Sequence, residues 1–305
     1  MKILTNMSRT ALATLLLLGL ISNQAFSANI PAGVGFSVIK TASTGLTPEA
    51  VIVESGSWFK LRRLAQNAVL IRHPKGDVLI DTGLGKQIEQ QFEVNDFWDR
   101  QLFSFEELNP AVEQLNRSGY SSKQVTKIIP THLHWDHASG IKDFPEAQVW
   151  VQEAEYEQAK IGQAPAHLIS QISGTDINWN FFELTSTPFN GFNRSLDLYG
   201  DGSIVLVDLS GHSAAQVGIF LTLSSGAQYF FIGDTTWTTK GIEDNSPRSS
   251  LIKWLVQLNW SDDKNEEQIA RLHQLQQQQH SNITLVPAHD ELIMAKLPIF
   301  PQVKY

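Results

Sequence analysis

Three imidazoles and a carboxylate stand within six residues in His132-Leu133-His134-Trp135-Asp136-His137. These are the side chains that hold a divalent metal when no thiolate is at hand, and the stretch uses three of the nine histidines in the chain. A helix would put His132 and Asp136 on one face and turn His134 away. A strand would align His132, His134 and Asp136 and leave His137 out. A loop leaving the end of a strand can converge all four. The apolar run Lys127-Ile128-Ile129-Pro130 before the stretch and Ser139-Gly140 after it supply that setting. The stretch therefore reads as a metal loop at a strand-to-helix junction.

The elements that must position it follow from periodicity and turn residues. Strand-like runs open the chain at Gly35 to Ile39 and Ala50 to Val53. Ala68 to His73 and Asp77 to Asp81 flank Pro74-Lys75-Gly76, a hairpin signature, and the second run ends in Asp81. From Leu84 to Tyr120 the pattern is helical, with Pro110 early in one helix; Phe92, Phe97, Trp98, Phe103 and Phe105 there read as helix-packing core. Gln148 to Val151 is a strand and Glu153 to Lys160 a helix. The segment 161–194 lacks a period and reads as a loop-rich insertion, either a lid or a packed surface subdomain.

In the second half three apolar runs end in further candidate ligands. Ser203 to Asp208 leads to Gly211-His212, Gln228 to Ile232 leads to Gly233-Asp234, and Asn282 to Pro287 leads to Ala288-His289. A small residue beside each lets the backbone approach a bound ion. Val217 to Leu223 is a further strand. Helices are expected around Arg248 to Leu258 and over Asp262 to Gln279, the latter with a solvated glutamine-rich face. His73, His167, His273 and His280 read as surface or structural, with His167 the one placed to reach a pocket.

Composition bounds the rest. At 305 residues, 42% hydrophobic and 18% charged, the chain reads as a globular protein. Residues 1–28 have the basic start, short apolar core and Ala25-Phe26-Ser27 end of a secretory signal, too short to span a bilayer. The remainder, 29–305, is expected to form one domain, periplasmic or secreted, with no stable membrane association. The chain carries 23 basic and 31 acidic side chains; loss of Lys2 and Arg9 with the signal moves the net charge from −8 to −10. That balance argues against nucleic acid and leaves a small molecule as the expected partner. With no cysteine, disulfides and thiolate ligands are excluded, so imidazole and carboxylate must hold any metal.

The ligand pattern resembles that of metallo-β-lactamase-fold hydrolases. His132-Leu133-His134-Trp135-Asp136-His137 matches that family's His-x-His-x-Asp-His motif, and Gly211-His212, Gly233-Asp234 and His289 match its later ligands. The resemblance implies an α/β fold, a four-layer αβ/βα sandwich with the site at one edge of two sheets. It implies two divalent ions, zinc being expected: His132, His134 and His212 would hold one, Asp136, His137 and His289 the other, and Asp234 would bridge them. Asp81 would orient a ligand histidine. A hydroxide held by the two ions would attack an ester-like bond, with Asp136 steering its proton.

Among substrates, Asp234 is similar to the bridging aspartate of the lactonase, organophosphate-hydrolase and glyoxalase II branches, which places β-lactams low. Export argues against glyoxalase II and its cytosolic thioester. A lactone, such as an acyl-homoserine lactone, is the leading expectation, followed by phosphotriesters of the methyl-parathion type. A mononuclear iron dioxygenase of the same fold is the reading from another class. Lactonases of this branch often carry tyrosine three residues after the bridging aspartate; here it is Trp237, which with Trp135 is a candidate pocket residue.

Overall fold

The structure is a computed structural model that describes residues 30–278 and 283–305, so the expected signal segment and His280 lie outside the described residues. In chain order its strands are β1 (Gly35–Ser43), β2 (Thr47–Pro48), β3 (Leu61–Arg62), β4 (Ala65–Arg72), β5 (Asp77–Ile80), β6 (Val125–Ile129), β7 (Gln148–Val151), β8 (Asn178–Phe181), β9 (Ser195–Asp197), β10 (Ile204–Asp208), β11 (Val217–Thr222), β12 (Gln228–Phe231) and β13 (Ile283–Val286). One sheet runs β1-β4-β5-β6-β7-β8, a second runs β13-β12-β11-β10-β9, and β2 with β3 forms a small ribbon.

Alternation of side chains along each strand builds the layers. In β4, Val69 and Ile71 face the second sheet while Ala68 and Leu70 face helices; in the paired β5, Val78 and Ile80 divide from Leu79 in the same way. The core between the sheets joins Val38, Val69 and Ile80 to Leu206, Ile219 and Phe231. Outside the first sheet, Leu70, Leu79 and Ile128 pack on Val112 and Leu115 of the helix Ala111–Arg117 and on Ala159 of the helix Glu153–Lys160. Outside the second, Val207, Phe220 and Phe230 pack on Leu272 of the helix Asp262–Gln277. The order helix, sheet, sheet, helix is the αβ/βα sandwich. Phe220 and Phe230 stack at 3.7 Å, and burying each such ring is worth about 1.5–3 kcal/mol.

Parallel pairing decides where chain ends meet. β5 runs parallel to β6 and β12 parallel to β13, so the residues that follow these strands emerge together at one edge. Val217 N–H donates to Thr131 O at 2.9 Å, stitching the two sheets there.

Two expectations are corrected. Ala50 to Val53 is not a strand: Glu49–Ile52 is a short helix. Its Glu49 is buried and ion-paired to Arg62 Nε and Lys60 Nζ, each at 3.0 Å, so a tertiary charge contact overrides the β-branched run. The aromatic stretch is split: Phe92, Phe103 and Phe105 pack about Trp135, but Phe97 and Trp98 are exposed. His73, expected as surface or structural, is the latter: it is buried and stacks on Tyr199 at 4.2 Å. The 161–194 segment runs from the site edge into the core: Leu168 packs near Trp135, β8 extends the first sheet, and Phe182 and Phe192 enter two core layers. Among the described residues no helix is long and apolar enough to cross a membrane.

Candidate metal centre

After β6 the chain bends at Thr131 and His132, is extended at His134 (φ −69°, ψ 158°) and turns helical at Trp135. This change of conformation inside the motif is what lets four side chains point to one place. Its anchors are tertiary. Thr131 N–H donates to Asp81 Oδ1 at 2.6 Å, Leu133 N–H to Glu155 Oε1 at 2.8 Å, and Trp135 N–H to Ala166 O at 2.8 Å. Asp81 adopts φ 51°, a left-handed backbone that costs a residue with a Cβ roughly 1–3 kcal/mol. The later candidates arrive on Gly211-His212, Gly233-Asp234 and His289. At Gly211 (φ 146°) a Cβ would sit 2.6 Å from Asn265 N, and at Gly233 (φ 53°) 2.9 Å from Gln216 Oε1, so the small neighbours are sterically required.

All seven candidate ligands converge. Donor atoms within 4.8 Å of one another define three groups: His132 with His134 and His212, His132 with His137 and Asp234, and Asp136 with His137 and His289. Asp234 lies between the sets, with Oδ2 3.6 Å from His212 Nε2 and Oδ1 3.3 Å from His137 Nε2 and 3.0 Å from His289 Nε2. Asp136 Oδ2 is 3.4 Å from His289 Nε2. Among the described residues the buried Nε2 atoms of His132 and His212 have no hydrogen-bond partner, and those of His137 and His289 meet only the carboxylates of the cluster. Buried polar atoms are ordinarily paired, so unpartnered imidazole nitrogens facing other imidazoles and a shared carboxylate fit a cation that would satisfy them.

The opposite edges of the rings are occupied. Nδ1 of His132 meets Thr131 Oγ1 at 3.1 Å, that of His137 Asp81 Oδ2 at 2.9 Å, that of His212 Asn259 Oδ1 at 2.8 Å, and that of His289 Ala65 O at 2.8 Å. Such contacts fix the ring and turn Nε2 inward. Asp81 thus stands directly behind His137. Among the described residues His134 has no such partner; the ring of buried His167 lies against it at 4.7 Å.

Electrostatics divides the histidines. Burial holds His132, His134 and His212 well below the ordinary imidazole value, reinforced by neighbouring imidazoles and, for His212, by Arg248. For His137, burial is outweighed by Asp81, Asp136 and Asp234, which carry it well above that value. His289 is likewise raised against burial by Asp234. Burial would raise Asp234, yet His289 and His137 hold it well below the usual carboxylate range.

Two contributors had no sequence signal. Arg248 is buried, donates through Nη2 to Asp234 O and through Nη1 to Asn259 Oδ1 at 2.8 Å, and lies 4.8 Å over the Trp237 ring. Asn259 in turn backs His212. Both lie in a region legible only as helix and loop, and nothing local in the sequence marks either. Trp237 Nε1–H donates to Asp234 Oδ2 at 2.7 Å. Trp135 is buried against Phe92, with ring centroids 4.5 Å apart.

A cavity of about 280 Å³ opens on His134, Asp136, His212, Asp234 and His289. Trp135 and Trp237 both line it, and Leu46, Val51, Ile52, Leu64 and Leu258 make much of the remaining wall apolar.

A two-sheet sandwich carrying a His/Asp cluster at its sheet edge defines a class of metal-dependent enzymes. Residues 61–259 match the family model described as Metallo-beta-lactamase superfamily, and this chain belongs to that superfamily. It is similar to the N-acyl homoserine lactonase AttM of Rhizobium johnstonii, 26% identical over 58% of this chain and 67% of the relative. Its fold is similar to that of an N-acyl homoserine lactone hydrolase solved with N-hexanoyl-L-homoserine at its catalytic metal centre. The TM-score is 0.66 at 20% identity, covering 89% of this chain and 99% of the other. AidC, a dizinc quorum-quenching lactonase, aligns with a TM-score of 0.56 at 15% identity over 89% of this chain and 93% of its own.

Proposed function

We propose that this protein is a two-metal hydrolase that opens lactone rings, with acyl-homoserine lactones as its substrate class and zinc as its metal. The observation that carries the reading is the convergence of seven imidazole and carboxylate donors, with the Nε2 atoms of His132 and His212 unpartnered among the described residues, beside a cavity with apolar walls. Two groups of ligands, His132 with His134 and His212, and Asp136 with His137 and His289, support two ions over one. That favours a hydrolase over a mononuclear iron dioxygenase. The names of the similar proteins support a lactone, and the dizinc neighbour supports zinc.

When bound, the two ions supply Lewis acidity toward the scissile carbonyl and bring the pKa of a water down toward about 7. The chain's own residues do the rest. Asp136, half-buried in the cavity wall, is placed to take the proton of the attacking water and pass it toward the ring oxygen. Leu46, Val51, Ile52 and Leu64 offer an acyl chain a dry surface. Trp237 orients Asp234 through its indole N–H and lacks the acidic hydroxyl a tyrosine would bring, which leaves proton delivery to Asp136.

The purified protein should hydrolyse acyl-homoserine lactones faster than phosphotriesters, thioesters or β-lactams in a side-by-side panel, and hold two equivalents of zinc. Preferred turnover of a phosphotriester would reassign the substrate; one equivalent of iron would reassign the chemistry. We further infer export, on the strength of residues 1–28 alone. Recovery of the protein in the cytoplasmic fraction of its host, at full length, would overturn that inference.

A further inference from the structure

We propose that Glu155 is a positioning residue that sets the distance between the two loops whose histidines share one ion. The proposal rests on the metal-centre reading above. Glu155 lies in the first turn of the helix Glu153–Lys160 and is 1% exposed. Its Oε1 accepts from Leu133 N–H at 2.8 Å, and Leu133 stands between His132 and His134. Its Oε2 accepts from Ser213 Oγ–H at 2.6 Å and from Ala215 N–H at 3.0 Å, directly after His212. One carboxylate therefore places one oxygen on each loop.

The same helix face reinforces the grip. Gln158 Oε1 accepts from Ala214 N–H at 2.6 Å, and Gln152 Nε2–H donates to Ala215 O at 3.0 Å. Residues 152, 155 and 158 recur every three positions and so lie along one side. Among the described residues no lysine or arginine is in ion-pair range of Glu155, so the loop donors are the hydrogen-bonding partners of its buried carboxyl group. A buried carboxylate is costly unless hydrogen-bonded, and here that requirement is met only when both loops are in register. An apolar side chain could fill the space without imposing that register. Glutamine keeps the shape but must turn its NH₂ toward either Leu133 N–H or Ala215 N–H, donor against donor.

The effect is selective by geometry. His132, His134 and His212 all come from the two loops that Glu155 joins, whereas Asp136 and His137, though on the first loop, lie beyond its turn into helix at Trp135, and His289 lies on neither loop. Asp136, His137 and His289 form the other group, and the histidines of that group are backed by Asp81 and Ala65 O instead. Removal of a group that orients a ligand typically costs about 10- to 100-fold in metal affinity.

The test is a titration of the metal-stripped protein with Co(II), following the ligand-field absorption and competing with a chromophoric chelator. Wild type is expected to take up two ions. Glu155→Gln should weaken one of them by about 10- to 100-fold, leave the other unchanged, and alter one set of absorption bands. Ser213→Ala, which keeps Glu155 and removes one donor, should weaken the same ion by a smaller factor. Glu155→Gln binding both ions as wild type does, or losing both equally, overturns the proposal. So does a Ser213→Ala loss that falls on the other ion. A wild type that binds no divalent ion overturns the metal-centre reading itself.

Discussion

The loop 132–137 and the trio His212, Asp234 and His289 furnish one cluster by different routes. The loop brings four candidate ligands in one short stretch, turned inward by a switch from extended to helical backbone at Trp135. The trio comes from the ends of three strands of the second sheet, brought together by strand order. Their supports differ in charge as well. His137 is backed by the Asp81 carboxylate and His212 by the neutral Asn259 amide with Arg248 beyond it. The outcome is an imidazole held above its ordinary value in one case and below it in the other. Where a ligand sits in sequence therefore says little about its protonation, which depends on what stands behind it.

Asp234 touches both sets, so its loss should do the greatest damage. Asp234→Ala is expected to bring hydrolysis to background and to reduce metal content below one equivalent, with far-UV circular dichroism unchanged. Retained turnover would mean the two sets work independently. His134→Ala should also abolish turnover in a folded protein; activity within tenfold of wild type would remove His134 from the site.

The two supports can be weighed against each other. Asp81→Asn should cost about 10- to 100-fold in metal affinity and Asn259→Ala less, since the first removes a charge-assisted hydrogen bond and the second a neutral one. Competition with a chelator measures both, and equal losses would dissolve the contrast.

The smallest effect is on pH dependence without metal. His132, His134 and His212, held neutral by burial, gain protons on unfolding as pH falls below about 6.5, so each removes up to about 1.4 kcal/mol of stability per pH unit on the acid side. His137 and His289, raised in the folded state, contribute stability that is fully present below about pH 6.5 and lost as pH rises through their folded values. Melting temperature in chelator should thus peak near pH 6–7, with the steeper fall on the acid side. In Asp81→Asn the alkaline fall should shrink, because His137 loses its nearest carboxylate. A curve unchanged by that substitution would detach the two.

Much of this was legible in the chain. Apolar runs bounded by turn residues located most strands, and the helices from Leu84 to Tyr120 and from Asp262 followed from periodicity and breakers. Every candidate ligand sits where an apolar run ends, and all seven meet. The misses share a cause. Ala50 to Val53 has strand composition but became helical through the buried pairing of Glu49 with Arg62, a contact between residues the sequence does not relate. Phe97 and Trp98 are as apolar as Phe92, yet only packing shows which ring meets Trp135.

What the sequence by itself determined is the donor chemistry: imidazoles and carboxylates without thiols, spaced so that a loop rather than a helix or strand must carry them. Tertiary structure alone decided which atoms back those donors. Asp81, Thr131, Asn259, Arg248 and Glu155 act through hydrogen bonds, most of them between residues far apart in the chain. Ligand identity is a property of one residue and its neighbours along the chain. Ring orientation, protonation and the distance between loops are properties of what folding brings alongside.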